Sequence, residues 1–65
     1  MLYNVKIVPI WQLKNGQEFS WSLTMKPRCR LLRFNPQVLM YEWCYLDTPH
    51  LIGYSKVERT ICLEK

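Results

Sequence analysis

Alanine is absent from the 65 residues, and the chain has only two glycines, one histidine and one aspartate. Lack of the best helix former, beside plentiful Val, Ile, Thr, Tyr, Phe and Trp, moves the expectation from helix toward strand. Two glycines, Gly16 and Gly53, are too few for a Gly-rich phosphate loop, and both have turn or bulge explanations. His50 stands in a Pro-containing loop. It pairs with Cys29, Cys44 or Cys62 for nucleophilic chemistry only on paper, because nothing places a third, orienting group beside it. The five acids, Glu18, Glu42, Asp47, Glu58 and Glu64, show no paired-carboxylate spacing. No catalytic residue and no cofactor are assigned, and the chain is read as non-enzymatic.

Long apolar runs are missing too. No stretch approaches the roughly 20 apolar residues of a membrane helix. The N-terminus MLYNVKIVPIW lacks a basic segment followed by an apolar run of signal-peptide length. The expectation is a cytoplasmic protein without membrane contact. Three cysteines are an odd number in so short a chain, which suits reduced, buried thiols rather than a disulfide framework. With His50 they make a Cys3His set of the kind that holds tetrahedral zinc, yet no two cysteines lie within a dozen residues of each other. Structural zinc sites draw their ligands from closer pairs, so no metal is assigned.

What is present points to one small domain, residues 1–65, with 49% hydrophobic and 14% aromatic residues. A domain of this size buries only about 60% of its unfolded surface, so homodimerisation or a partner is expected to help hold it together. Asn15-Gly16, between alternating apolar residues, is a strong β-hairpin signal, since a type I′ turn needs positive φ at both central positions. In that register Ile10 faces Trp21, and Phe19, Trp21, Leu23 and Met25 form a dry face opposite Ser20, Ser22 and Thr24. Tyr3, Val5 and Ile7 have the wrong parity, which a bulge at Pro9 would correct.

Beyond Met25 the chain turns basic. Lys26, Arg28, Arg30 and Arg33 are four of nine basic residues within eight positions. As a strand, Arg28, Arg30, Leu32 and Phe34 share one side, and Cys29, Leu31 and Arg33 the other. Neither side is purely apolar, the pattern of a guarded edge strand. After a break at Asn35-Pro36, VLMYEWCYL reads as a central strand, with Leu39, Tyr41, Trp43 and Tyr45 on one face. Asp47-Thr48-Pro49-His50 reads as a loop. Leu51–Tyr54 and Val57–Leu63 read as strand, against a competing capping-box helix beginning at Ser55.

The fold class expected is all-β, a small five-stranded, strongly bent antiparallel sheet or barrel resembling SH3-like or OB-like architectures. The alternative is α+β, with one helix on the sheet. The function expected is that of a regulator, inhibitor or adaptor docking on an acidic protein surface. Its candidate contact residues are Lys26, Arg28, Arg30, Arg33, Tyr41, Trp43 and Tyr45, because arginine and aromatic residues dominate interface hot spots. Arg28 and Arg30, sharing a face, would engage neighbouring carboxylates or phosphates. The alternative is binding of single-stranded DNA or RNA, for which a net charge of +4 and exposed rings are the usual equipment.

Overall fold

A computed structural model describes residues 4–65. It contains β1 (Val5–Pro9), one 3-10 turn (Ile10–Gln12), β2 (Glu18–Ser20), β3 (Arg28–Asn35), β4 (Met40–Tyr45), β5 (Thr48–Lys56) and β6 (Thr60–Glu64). All neighbours are antiparallel, in the order β1-β6-β2-β3-β4-β5. The all-β expectation holds, with six strands in place of five and a sheet that does not close. No helix forms at Ser55; Val57 and Glu58 are a turn and β6 follows.

The connectivity forces the bend. β5 and β6 are separated in the sheet by β2, β3 and β4, so a flat sheet would hold them about 19 Å apart at 4.8 Å per strand. Yet Val57–Arg59 alone joins them, in a turn closed by the Arg59 N–H donating to the Lys56 carbonyl at 3.3 Å. The sheet must curl until its β5 end comes round to β6. Its narrowest joint is the β2–β6 seam, where only Ser20 and Cys62 pair.

The inside of the curl is the core. Ile10, Leu13, Phe19, Cys29, Leu31 and Ile61 are buried there, with Val8, Trp21, Tyr41, Trp43 and Leu63 packed around them. The 3-10 turn drops Ile10 and Leu13 over the sheet. Pro9 begins that excursion: it has no N–H to continue a ladder, and its extended conformation leads straight into the turn.

Several local expectations need correction. Val5–Pro9 does not pair across Asn15-Gly16; it pairs with β6, from Val5 opposite Glu64 to Pro9 opposite Thr60, without a bulge. Of the two turn residues only Gly16 has positive φ, at 87°, as in a type II turn, which splays flanking strands instead of continuing their twist. The turn therefore feeds β2, whose partners are β3 and β6. Trp21 lies beyond the end of β2, Leu23 is exposed, and Ser20 is wholly buried, opposite to the expected wet face. Ile7 and Val8 diverge likewise, with Ile7 exposed and Val8 on the core. Tyr3 lies outside the described residues.

β3 is an inner strand, so its arginines guard no edge. The parity expected along it breaks at Leu32: Leu31 pairs with Trp43 but Arg33 with Glu42, two residues of β3 against one step of β4. This bulge moves Arg33 to the side of Arg28 and Arg30, and swings Phe34 onto Tyr41 with ring centroids 5.1 Å apart. β4 is interior, as expected. The Asp47–His50 loop is in fact a tight turn at Leu46-Asp47 followed by β5, whose register jumps from Thr48 opposite Tyr45 to Ile52 opposite Cys44.

Candidate functional site

The bulge and the curl divide the candidate residues between two surfaces. Arg28, Arg30 and Arg33 lie on the outer side of the sheet, each beside a carboxylate from a neighbouring strand. Arg28 is paired with Glu64 of β6 and stands 3.9 Å from Glu18 of β2. Arg30 reaches Glu18 at 3.3 Å, and Arg33 reaches Glu42 of β4 at 3.3 Å. Glu42 also accepts from the Asn35 amide at 3.0 Å. These arginines bridge strands, and three of the chain's five acids are matched to them. Lys26 sits apart in the Trp21–Pro27 segment, lining an open hollow of about 700 Å³ with Arg28, Leu46 and Asp47.

Tyr41, Trp43 and Tyr45 share the core side, as the alternation of β4 requires. The expected basic and aromatic surface is therefore two surfaces, back to back. Leu39 leaves the aromatic row, since it occupies the β3–β4 turn with φ of 57°.

On the core side the rings form a chain leading from interior to surface. Phe19 meets Trp21 at 5.2 Å, Trp21 meets Trp43 at 5.3 Å, and Trp43 meets Tyr45 at 5.0 Å, every pair in edge-to-face arrangement. Such contacts each contribute about 0.5–1.5 kcal/mol beyond the area they bury, and they fix the rings relative to one another. Trp21 is held there by its neighbour. The buried Ser20 hydroxyl donates to the Pro27 carbonyl at 2.9 Å and accepts from the Ser22 N–H at 3.2 Å, pinning both ends of the segment that carries Trp21.

Trp43 is held from below by the absence of a side chain. It pairs across the sheet with Gly53, and a Cβ at Gly53 would lie only 2.6 Å from the Trp43 six-membered ring. The indole thus lies directly on the β5 backbone, an approach that only glycine allows.

Trp21, Trp43 and Tyr45, with Tyr54 and Ser55 of β5 and Arg59 of the β5–β6 turn, line a cavity of about 240 Å³ at the open mouth of the curl. The Arg59 guanidinium lies 5.0 Å from the centre of the Trp21 ring, a cation–π contact. Among the described residues no carboxylate is within ion-pair distance of Arg59. Among the described residues neither the Trp21 nor the Trp43 indole N–H has an acceptor, and they are the buried side-chain polar atoms there without a partner. Buried donors normally find acceptors, so two unpaired indoles in adjoining rings are unusual.

Arg59 and Trp21 were missed as site residues. Nothing local in the sequence marks Arg59, and the signal that exists, an apolar ring beyond a short strand, points equally to the core.

The cysteines are disposed otherwise than as a ligand set. All three are buried and free. Cys29 lies among the core residues while Cys44 pairs with Arg30 on the other side of the sheet, and no cluster of three His, Cys, Asp or Glu forms among the described residues. Burial, with a smaller contribution from Cys44, pushes the Cys29 thiol up to about 11. It is a protonated hydrophobe at neutral pH.

No helix in the described residues is long and apolar enough to cross a membrane. No protein-family model matches the chain, and neither does any curated protein or solved structure.

Proposed function

We propose that this chain is a small non-enzymatic interaction module that docks on a protein partner through the aromatic cleft at the mouth of its curled sheet. The observation that carries the reading is the ordered row Trp21–Trp43–Tyr45 ending at the surface beside Arg59, which has no carboxylate within ion-pair distance among the described residues. Tryptophan, tyrosine and arginine are the side chains that anchor interfaces, and rings already locked by one another lose little freedom on binding. The outer arginines are secondary in this reading. Their charge is largely spent on Glu18, Glu42 and Glu64, whereas the surplus of +4 rests on Lys6, Lys14, Lys26, Lys56, Arg59 and Lys65 after the acids Asp47 and Glu58 are subtracted.

The test compares wild type with a Tyr45→Ser variant, both shown folded by circular dichroism. Each is used to capture partners from the native host, and the interaction is then rebuilt with the purified partner. Binding of a defined protein by wild type alone is the expected result. Equal binding by the folded variant would remove the cleft from the interface. Tight binding of purified single-stranded DNA or RNA, lost in the same variant, would replace the protein partner by a nucleic acid, since stacked rings with basic neighbours serve that purpose as well.

A further inference from the structure

β5 is the last strand of the sheet, so one of its two edges carries backbone groups that no neighbouring strand takes. Which residues carry them follows from β4. The Leu46 N–H donates to the Arg28 carbonyl at 3.1 Å, and antiparallel strands turn their backbone groups to alternate sides, so Leu46, Cys44 and Glu42 face β3 while Tyr45, Trp43 and Tyr41 face β5. Trp43 and Tyr41 pair with Gly53 and Ser55, whose N–H and C=O groups are thereby engaged. Those of Ile52 and Tyr54 point off the sheet, and among the described residues no other backbone group bonds them. We propose that this free edge is a self-association surface, on which β5 of a second copy pairs antiparallel about a two-fold axis at Gly53. The interface runs along the edge and does not depend on the cleft being a docking site.

The window is apolar and unguarded. Leu51, Ile52 and Tyr54 are 59%, 45% and 55% exposed, and no charge stands between His50 and Lys56. Edge strands ordinarily carry a lysine, a proline or a bulge where another chain could add. β5 has these only on its flanks, with Pro49 and the register jump before Ile52 and Lys56 after Ser55. On the opposite edge of the sheet, β1 has Lys6 and Pro9 within five residues.

Symmetry selects a second copy of the same strand as the occupant. With Gly53 opposite Gly53 of the second copy, Ile52 lies opposite the second copy's Tyr54, and Tyr54 opposite its Ile52. Every outward N–H and C=O of these residues is then used, in four hydrogen bonds. A pairing centred on Ile52 would instead set Tyr54 against His50, inside the register jump where the strand leaves its ladder. Ile52 and Tyr54 also share a side, and a β-branched residue beside an aromatic one is a favoured cross-strand pair. Between them the two glycines meet at a non-bonded position, where the Cα atoms of antiparallel strands come within about 4.5 Å. Gly53 brings no side chain to that contact, so nothing enters the space that the Trp43 ring already occupies against it. Such a two-fold contact closes on itself, joins two six-stranded sheets into one and leaves β5 with no edge for a third copy.

Dilution reads the dimer, and hydrogen exchange reads its register. Sedimentation equilibrium of the purified protein should show a monomer at low concentration and a dimer at high concentration. At high concentration the amides of Ile52 and Tyr54 should exchange at least about tenfold more slowly than at low, whereas those of Gly53 and Ser55, bonded to β4, should be protected at both. In a mixture of 13C-labelled and unlabelled chains, an intermolecular NOE should link the Gly53 Hα atoms of the two copies. N-methylation of the Tyr54 amide in a chemically synthesised chain removes an outward donor and no bond to β4. That chain should keep its circular dichroism and lose the dimer, and Ile52→Lys should weaken self-association at least about tenfold.

A monomer at every concentration would overturn the proposal. So would a dimer that survives N-methylation of Tyr54, or one in which Ile52 and Tyr54 exchange as fast as in the monomer. Growth beyond the dimer, with Val5 and Ile7 becoming protected, would give the β5 edge to β1 of the next copy and overturn the two-fold pairing.

Discussion

Gly53→Ala should destabilise this protein, and the reason lies in one ring. The glycine carries no positive φ, so the substitution would ordinarily stabilise by about 0.4–1 kcal/mol through the unfolded chain. Here the new methyl would stand 2.6 Å from Trp43 Cζ2, 2.7 Å from Cε2 and 3.1 Å from Cη2. These are atoms of a rigid bicycle, not the far end of a flexible side chain. Trp43 in turn is in contact with Trp21 at 5.3 Å and Tyr45 at 5.0 Å, so it cannot retreat without disturbing both. Overpacking of this kind costs about 1–3 kcal/mol. The net expectation is a loss of about 0.5–2 kcal/mol. With a urea m-value of about 1 kcal/mol/M for a domain this small, the midpoint should fall by about 0.5–2 M. The partner substitution Trp43→Leu removes the obstructing ring, and in that background Gly53→Ala should become neutral or stabilising. The double-mutant cycle isolates the contact. A Gly53→Ala variant as stable as wild type in the wild-type background would refute the close packing of Trp43 on β5, and with it the geometry of the cleft.

Gly16→Val should cost more than about 1 kcal/mol. Because nothing lies within 4 Å of its Cβ position the cost is backbone strain at φ of 87°, so D-alanine at the same position should restore the melting temperature. Arg28→Glu with Arg30→Glu removes the pairs to Glu18 and Glu64 and sets like charges across the strands; stability should drop by about 1 kcal/mol, less at high salt, and Glu18→Lys should recover part of it. The Cys29 thiol, raised in the folded state from 9.0 to about 11, keeps its proton while the unfolded chain loses its own. Its contribution is therefore intact below about pH 8 and declines from pH 9 to 11; the melting temperature of wild type should fall faster over that window than that of Cys29→Ala, and parallel profiles would show the thiol to be solvated.

Sequence reasoning reached the fold class and fell short where pairing is long-range. The alternation of Tyr41, Trp43 and Tyr45 was readable because β4 is uninterrupted, and period two then settles which side chains share a face. The same reasoning failed on β3, because one extra residue at Leu32 reverses everything after it, and nothing about leucine announces a bulge. At Asn15-Gly16 the local signal was real, in that a tight turn with positive φ at glycine does form there. The error was in its partners. Val5–Pro9 found an equally strand-prone segment at Thr60–Glu64, at the far end of the chain, and no local pattern reports a choice between two suitable strands. Reading the arginines as an edge guard had the same cause, since a strand's place in the sheet depends on the whole order of pairing.

The cleft was hidden for a more general reason. Its residues come from a segment after β2, from β4, from β5 and from the β5–β6 turn, and they meet only because three residues must span what would be four strand spacings in a flat sheet. Curling is thus a consequence of the short Val57–Arg59 connection, and the cleft is a consequence of curling. The curl brings Arg59 over Trp21, and the ring of Trp43 is laid flat by Gly53. Lengthening the connection with two or three flexible residues should then relax the mouth of the curl without touching any lining side chain. Loop insertions of this size cost little in themselves, because closure entropy grows only with the logarithm of length. The expected outcome is a protein nearly as stable as wild type in which tryptophan emission shifts to the red and partner binding is lost. An insertion variant that binds as well as wild type would show that the strands hold the curl unaided, and that the connection merely follows it.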